Sequence, residues 1–356
     1  MTLDRRDRYR CRPTASARSR LVAIGLFMLA MAGLVTACGS SGGANSITIY
    51  NGQHEQTTDA LVAAFEKATG INVEVHNGDE DTLAEQIATD GSHSSADVIF
   101  TENSPALEFL QTKGLLAHVD ASTLAHTPSR FNSPAGDWVG VSARVSVLIY
   151  NPGLISESQL PTHILELADP KYNGKLAFAP SETDFQPIVT SVERAYGKAA
   201  TLKWLEGIKS NVSISHRYQD NETVADEVNR GAVAFGVVNQ YYWYRMRAEI
   251  GASNMHSEIA YFAPRDPGYV IDVSGAAVLA SSKHQADAQK FLEFITSKTG
   301  QEIIAQSISF EYPIASGVAT AQPEKPFGQL QPYPITMAEL GDGSTAIDLL
   351  QQVELS

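Results

Sequence analysis

The sequence predicts an α/β fold of two lobes built around a parallel sheet. Strand and helix signals alternate from Ser46 onward. About 310 residues of ordered chain are more than one hydrophobic core usually holds. Beyond Cys38 there is no cysteine, so no disulfide is expected and packing alone must hold the body together.

The elements follow in chain order. Ile47-Thr48-Ile49-Tyr50 is a strand. Thr57 to Lys67 is a helix with Leu61, Val62 and Phe65 on one face, stopped by Gly70. Ile71 to Val75 alternates as a strand, Thr82 to Thr89 is helical, and Asp97 to Phe100 is a short buried strand. Pro105 opens the next helix near its first turn. This βαβαβ order predicts parallel pairing with helices on both faces. The alternation resumes with strands at Lys175–Ala179 and Val233–Val238, and a helix at Thr223–Asn229 between them. A strand at Val273–Leu279 and an amphipathic helix at His284–Thr296 come later. No internal repeat is present.

Residues 1–37 have the form of an export signal. Seven arginines within the first 20 residues precede an apolar run from Leu21 to Leu34, too short to span a bilayer. Val35-Thr36-Ala37-Cys38 resembles a bacterial lipobox, which implies lipid attachment at Cys38 and loss of residues 1–37. Arg5-Arg6 lacks the context of a twin-arginine signal. Residues 38–46 are small and polar, a flexible tether. The match of Gly39 to Gly43 to G-x-S-x-G has neither the strand nor the helix that a nucleophile elbow needs.

Without residues 1–37, which carry seven Arg and two Asp, the chain has 19 basic against 38 acidic residues, a formal charge of −19. That excludes nucleic acid and anionic membrane surfaces as natural partners, and leans weakly toward cations.

In doubly wound sheets ligands bind beyond the carboxyl ends of strands. Three such ends carry hard donors: Tyr50-Asn51-Gly52-Gln53-His54, Thr101-Glu102-Asn103-Ser104 and Asn239-Gln240-Tyr241-Tyr242-Trp243-Tyr244. Adjacent tyrosines inside a helix diverge by about 100°, whereas at a strand-to-helix junction both can turn to one target. A phenol of ordinary pKa about 10 is neutral, and a trivalent cation would make its phenolate form favourable. The lack of thiol donors argues against soft metals.

These stretches resemble the ferric-ion-binding proteins of bacterial iron ABC importers. The resemblance runs from about Ile47 to at least Pro313 and includes Ser95 to Glu102, Trp138 to Tyr150 with Arg144, Arg265-Asp266-Pro267-Gly268 and Ser274 to Leu279. It implies a two-lobed periplasmic-binding-protein (Venus-flytrap) fold with an interlobe cleft. Lobe 1 then comprises residues 47–145 and 272–320, and lobe 2 residues 146–271 and 321–356. It implies a monomeric binder, not an enzyme, that passes Fe³⁺ to a membrane permease. The ligands would be His54, Glu102, Tyr241 and Tyr242, completed by a small anion such as carbonate or phosphate near Arg144, Asn221 and Asn239.

One segment departs from the family pattern. Small residues that hold the anion are replaced by Ser181-Glu182-Thr183-Asp184. Two carboxylates beside a phosphate are repulsive. Either a carboxylate replaces the anion on the metal, or a smaller anion such as carbonate sits beside Arg144. Outward-pointing side chains would instead leave a phosphate site intact. Two other classes of function stay open: the same fold holding a polyamine, thiamine or phosphonate, and an anchored hydrolase. The zinc motif H-E-x-x-H begins at His54-Glu55 but fails at Thr58.

Overall fold

The computed structural model describes residues 46–320 and 325–355; the export signal, Cys38 and the tether up to Asn45 lie outside them. The strands are β1 (Ser46–Asn51), β2 (Asn72–Asn77), β3 (Val98–Thr101), β4 (Val139–Tyr150), β5 (Leu176–Ala177), β6 (Phe235–Asn239), β7 (Glu258–Ala260), β8 (Ile271–Val278) and β9 (Tyr312–Pro313). Their order is β2-β1-β3-β8-β4-β6-β5, with β7 and β9 also paired to β4.

The sheet is mixed, which corrects the expected parallel arrangement. Among the described strands, the parallel pairs are β1 with β2, β1 with β3, and β5 with β6. β1 to β3 are joined by the helices Glu55–Thr69 and Glu80–Asp90, crossovers of the length that parallel strands require. β8 and β4 instead carry the chain from one half of the molecule to the other. Each therefore runs antiparallel to its neighbours.

β4 has no counterpart among the strands that the sequence predicts. All of its 12 residues are buried, so no polar-out alternation announces it. Val139 to Val145 pair with β8, while Ser146 to Tyr150 pair with β6. One strand thus serves both halves.

The expected elements are present, with ends shifted by a few residues. The first helix starts at Glu55, directly after His54, and Gly70 closes it in a left-handed conformation (φ 71°), as its missing Cβ permits. Leu61, Val62 and Phe65 form its buried face as predicted. They pack with Ile47, Ile49, Val98, Phe100 and Phe291. The strand expected over Lys175–Ala179 shortens to Leu176–Ala177.

Candidate metal centre

The site is built at three strand ends, and each delivers its side chain through a specific local device. After β1, the Asn51 amide donates to the Gln53 carbonyl (2.8 Å) and its Oδ1 accepts from the Thr58 hydroxyl (2.8 Å), which fixes the turn. The Gln53 side chain donates to Ser274 Oγ (2.6 Å) and Glu311 Oε2 (3.0 Å) and accepts from the His54 N–H (2.7 Å). His54 is thereby presented at the head of the first helix with its side chain 12% exposed. Gly52 is required by space: a Cβ there would lie 2.6 Å from Cβ of Glu80.

Glu80 positions the second donor. Its buried carboxylate accepts from the N–H of Glu102 (2.7 Å), the N–H of Asn103 (2.8 Å) and the Asn103 side-chain amide (2.9 Å). The loop after β3 is thus tied down from below while the Glu102 side chain points into the cleft.

The third strand end delivers the tyrosines. They lie within the first turn of the helix Gln240–Ile250, inside the helix and not at a bend before it. Their rings nevertheless run side by side, with centroids 4.1 Å apart. Long side chains at the head of a helix can lean past its end, which the argument from 100° divergence left out. Gln240 locks this helix to the sheet: its Oε1 accepts from the Val145 N–H (2.8 Å) and its amide donates to the Phe310 carbonyl (3.0 Å).

The four expected donors meet. His54 Nε2 is 3.5 Å from Glu102 Oε1, and the Tyr241 hydroxyl donates to that same oxygen at 2.6 Å. Asp184 joins them. Its Oδ2 accepts from Tyr242 (3.1 Å), Tyr241 (3.3 Å) and the Asn221 amide (3.2 Å). Its side chain is only 6% exposed, which removes the outward-pointing alternative. Glu182 also turns inward, accepting from the Asn221 N–H at 3.2 Å. Asn239 lines a small, mostly apolar cavity with Asp184 and Asn221.

Arg144, fully buried on β4, faces three carboxylates: Glu102 at 3.5 Å, Glu311 at 3.5 Å and Asp184 at 3.8 Å. Glu311 was not foreseen. It is the acid within Ser309-Phe310-Glu311-Tyr312-Pro313, a charged residue inside an otherwise buried run, and that contrast is the signal that could have found it. His54, Glu102 and Glu311 offer ligand atoms within 4.8 Å of one another. Outside the donors a cavity of about 450 Å³ opens, lined by His54, Glu55, Glu102, Glu222, Arg245 and Ile308 among others.

The electrostatics are those of a site short of positive charge. Burial, then Asp184 and Glu102, push both phenols well above their ordinary range, so each is a neutral donor. Burial and Glu102 raise Asp184, and burial and Asp184 push Glu182 up to about 8. Burial lowers His54, which keeps its imidazole neutral. Burial also disfavours the Arg144 charge, but Glu311, Glu102 and Asp184 outweigh it. His54 Nε2, Asp184 Oδ1 and Glu311 Oε1 are buried without a hydrogen-bond partner, and so are the three guanidinium nitrogens of Arg144, whose side chain stands at ion-pair distance from the two carboxylates. Buried orphan acceptors around shared phenol protons form a place where a cation would relieve several penalties together.

A two-part α/β sheet, with polar side chains from both parts meeting in a cleft, defines a ligand-binding protein of the two-lobed type. The chain belongs to the bacterial extracellular solute-binding protein family, which matches residues 60–328. It is 37% identical over 338 residues to the Fe(3+)-binding periplasmic protein of Serratia marcescens, covering 94% of this chain and 99% of that one. The major ferric iron-binding protein of Neisseria meningitidis serogroup B is 35% identical over 308 residues, covering 86% of this chain and 92% of that one. Among solved structures, iron-bound HitA from Pseudomonas aeruginosa superposes with a TM-score of 0.82 at 40% identity, covering 86% of this chain and 99% of that one. The Trichodesmium protein FutA in complex with iron and citrate gives 0.77 at 28% identity, covering 87% and 100%. The fold is that of the two-lobed periplasmic binding proteins, and the expectation of a binder, not a catalyst, accords with the family.

Proposed function

We propose that this protein captures ferric iron outside the cytoplasm and delivers it to an ABC importer. The gathering of His54, Glu102, Tyr241 and Tyr242 in one cleft carries the reading: an imidazole, a carboxylate and two phenols are a donor set for a hard, trivalent cation. Relatives named for Fe(3+) and ferric iron binding, alike over most of both chains, support it. The compact polar donor cluster speaks against the organic-ligand alternatives, whose cleft would be broad and aromatic.

The lobe boundary falls between Val145 and Ser146, where β4 changes partner from β8 to β6, with the return crossing near Asp272. The helix Ser344–Gln352 packs on the helices Phe185–Tyr196 and Lys198–Asn211, consistent with a C-terminal segment assigned to lobe 2. Lobe 1 then gives His54 and Glu102, lobe 2 gives the tyrosines, and the ion favours closure because only the closed state lets it touch both. Lipid on Cys38 would hold the protein near its permease. Metal analysis of the purified monomer, with its visible spectrum, tests the reading. Stoichiometric iron with a phenolate-to-iron absorption band is expected; a colourless protein that takes up no ferric ion refutes it.

A further inference from the structure

We propose that Asp81, Thr183 and Gln186 form a latch at the edge of the cleft, which engages when the lobes close and slows the release of iron. The inference rests on the lobe assignment and the ferric reading above, and it goes beyond both because the latch uses no metal donor.

Two hydrogen bonds join the two assigned lobes at this edge. The Gln186 amide donates to Asp81 Oδ2 (3.3 Å), and the Asn103 amide donates to the Thr183 hydroxyl (3.1 Å). Asp81 and Asn103 belong to lobe 1, Thr183 and Gln186 to lobe 2. Asp81 lies in the first turn of the helix Glu80–Asp90, and Gln186 in the first turn of the helix Phe185–Tyr196. A carboxylate is favoured at a helix head, and here it meets a second one. Asn103 is turned toward Thr183 by Glu80, which accepts its other amide hydrogen (2.9 Å).

Gln186 is shaped for a closed edge. It is only 7% exposed. A Cβ on Gly343 would come within 2.4 Å of Gln186 Oε1 and 3.4 Å of Cβ of Pro105. Gly343 belongs to lobe 2 and Pro105 to lobe 1, so the Gln186 carboxamide fills a slot that exists only while the two are together. Burial raises Asp81 above its ordinary range, and the bond from Gln186 lowers it. Closure thus takes a carboxylate partly out of water, and Gln186 offsets some of that cost.

The latch works with the ion. Closure alone gathers Glu102, Glu182 and Asp184, whose charges oppose one another. A bound cation removes this opposition, and the two bonds then add to the closed state. They form after the ion has entered between parted lobes, so they act on release and not on capture.

The test is a double-mutant cycle: parent, Asp81→Ala, Gln186→Ala and the two substitutions together, with Thr183→Val beside them. Urea denaturation establishes that each folds. Each is loaded from ferric nitrilotriacetate and chased with excess EDTA, and decay of the phenolate-to-iron band gives the release rate. Gln186→Ala should release iron about tenfold faster, as expected for one hydrogen bond to a half-buried carboxylate. Its uptake rate should stay within about twofold of the parent, and its band at saturating iron should keep its position and intensity. The double variant should release iron no faster than the faster single variant, because one contact is lost only once. Thr183→Val, which removes a single hydroxyl, should release iron about threefold faster and decides the matter if the Gln186 variants do not fold. Release within about 1.5-fold of the parent in both Gln186→Ala and Thr183→Val overturns the latch and leaves the ferric reading intact. Single effects that simply multiply in the double variant overturn it equally, as does a shifted band in Gln186→Ala, which would place the residue's effect on the donors. A parent that takes up no ferric ion overturns both.

Discussion

Glu80 touches no ligand position directly, yet its removal should cost both stability and iron affinity. Truncation to alanine leaves three donors without their acceptor: the N–H groups of Glu102 and Asn103 and the Asn103 amide. Orphaned buried donors cost about 1–3 kcal/mol each, a gross loss of about 3–9 kcal/mol. Two effects offset part of this. Water can enter the space left behind, and a carboxyl raised well above its usual range by burial, Asp81 and Glu102 is no longer buried. A net loss of about 3 kcal/mol is expected from these terms. Glu80→Gln should cost only about 1 kcal/mol, because its amide oxygen still accepts the two backbone N–H groups. Asn103 can then flip and offer its unpartnered Oδ1 to the new amide. Urea denaturation of the iron-free variants measures both losses. Iron affinity should fall by about 10–100-fold in Glu80→Ala, as for other residues that orient a metal ligand. A stability within about 0.5 kcal/mol of the parent, the usual scatter of surface substitutions, would refute the reasoning.

Tyr242→Phe should remove most of the phenolate-to-iron band, and the double Tyr241→Phe, Tyr242→Phe variant all of it; a full-strength band in the double variant rules the phenols out. Iron should be released by acid, because both raised phenols lose a proton on binding; apparent affinity should fall by about two decades per pH unit, and a pH-independent affinity contradicts the site. His54, lowered by burial, stays neutral below its ordinary range, so its protonation adds to release only at the more acidic end of the titration. Glu182 is raised to about 8, so its folded form prefers the proton; the resulting destabilisation is absent below about pH 4.5 and complete above about pH 8. Glu182→Gln should therefore raise the melting temperature more at pH 8 than at pH 5, and an equal shift at both refutes the assignment. Cys38→Ala should move the protein from the membrane fraction to the soluble one; retention after a high-salt wash speaks against the lipid anchor.

What could be read from the sequence followed from local pattern. The place of His54, Glu102 and the tyrosines at strand ends was legible because each follows a strand whose alternation or apolar run is visible by itself, while their reading as ligands came from the family resemblance. The face formed by Leu61, Val62 and Phe65 was equally plain. β4 was not, since a strand buried on both faces carries no period, and its partners lie more than 80 residues away in sequence. The parallel expectation failed for the same reason: pairing direction between β3 and β8 depends on long-range chain path, not on either segment. The inward turn of Asp184 was hidden because only the tertiary fold decides which acids leave water, whereas Glu311 stands out only as one acid between Phe310 and Tyr312, a weak contrast in the sequence. Glu80 precedes the predicted helix Thr82–Thr89, and nothing around it in the sequence distinguishes it from a solvated acid.

The change of partner along β4 makes this strand an internal reporter of closure. Val145, the last residue before the change, gives its amide to the Gln240 side chain. Gln240 opens the helix that carries both tyrosines. A parting of the lobes at this place, as proposed above, would load this one amide before the ladders on either side. Hydrogen–deuterium exchange at Val145 should be fast in the iron-free protein and slow in the loaded one. Leu148 and Ile149, held between β6 and β7, should stay protected in both states.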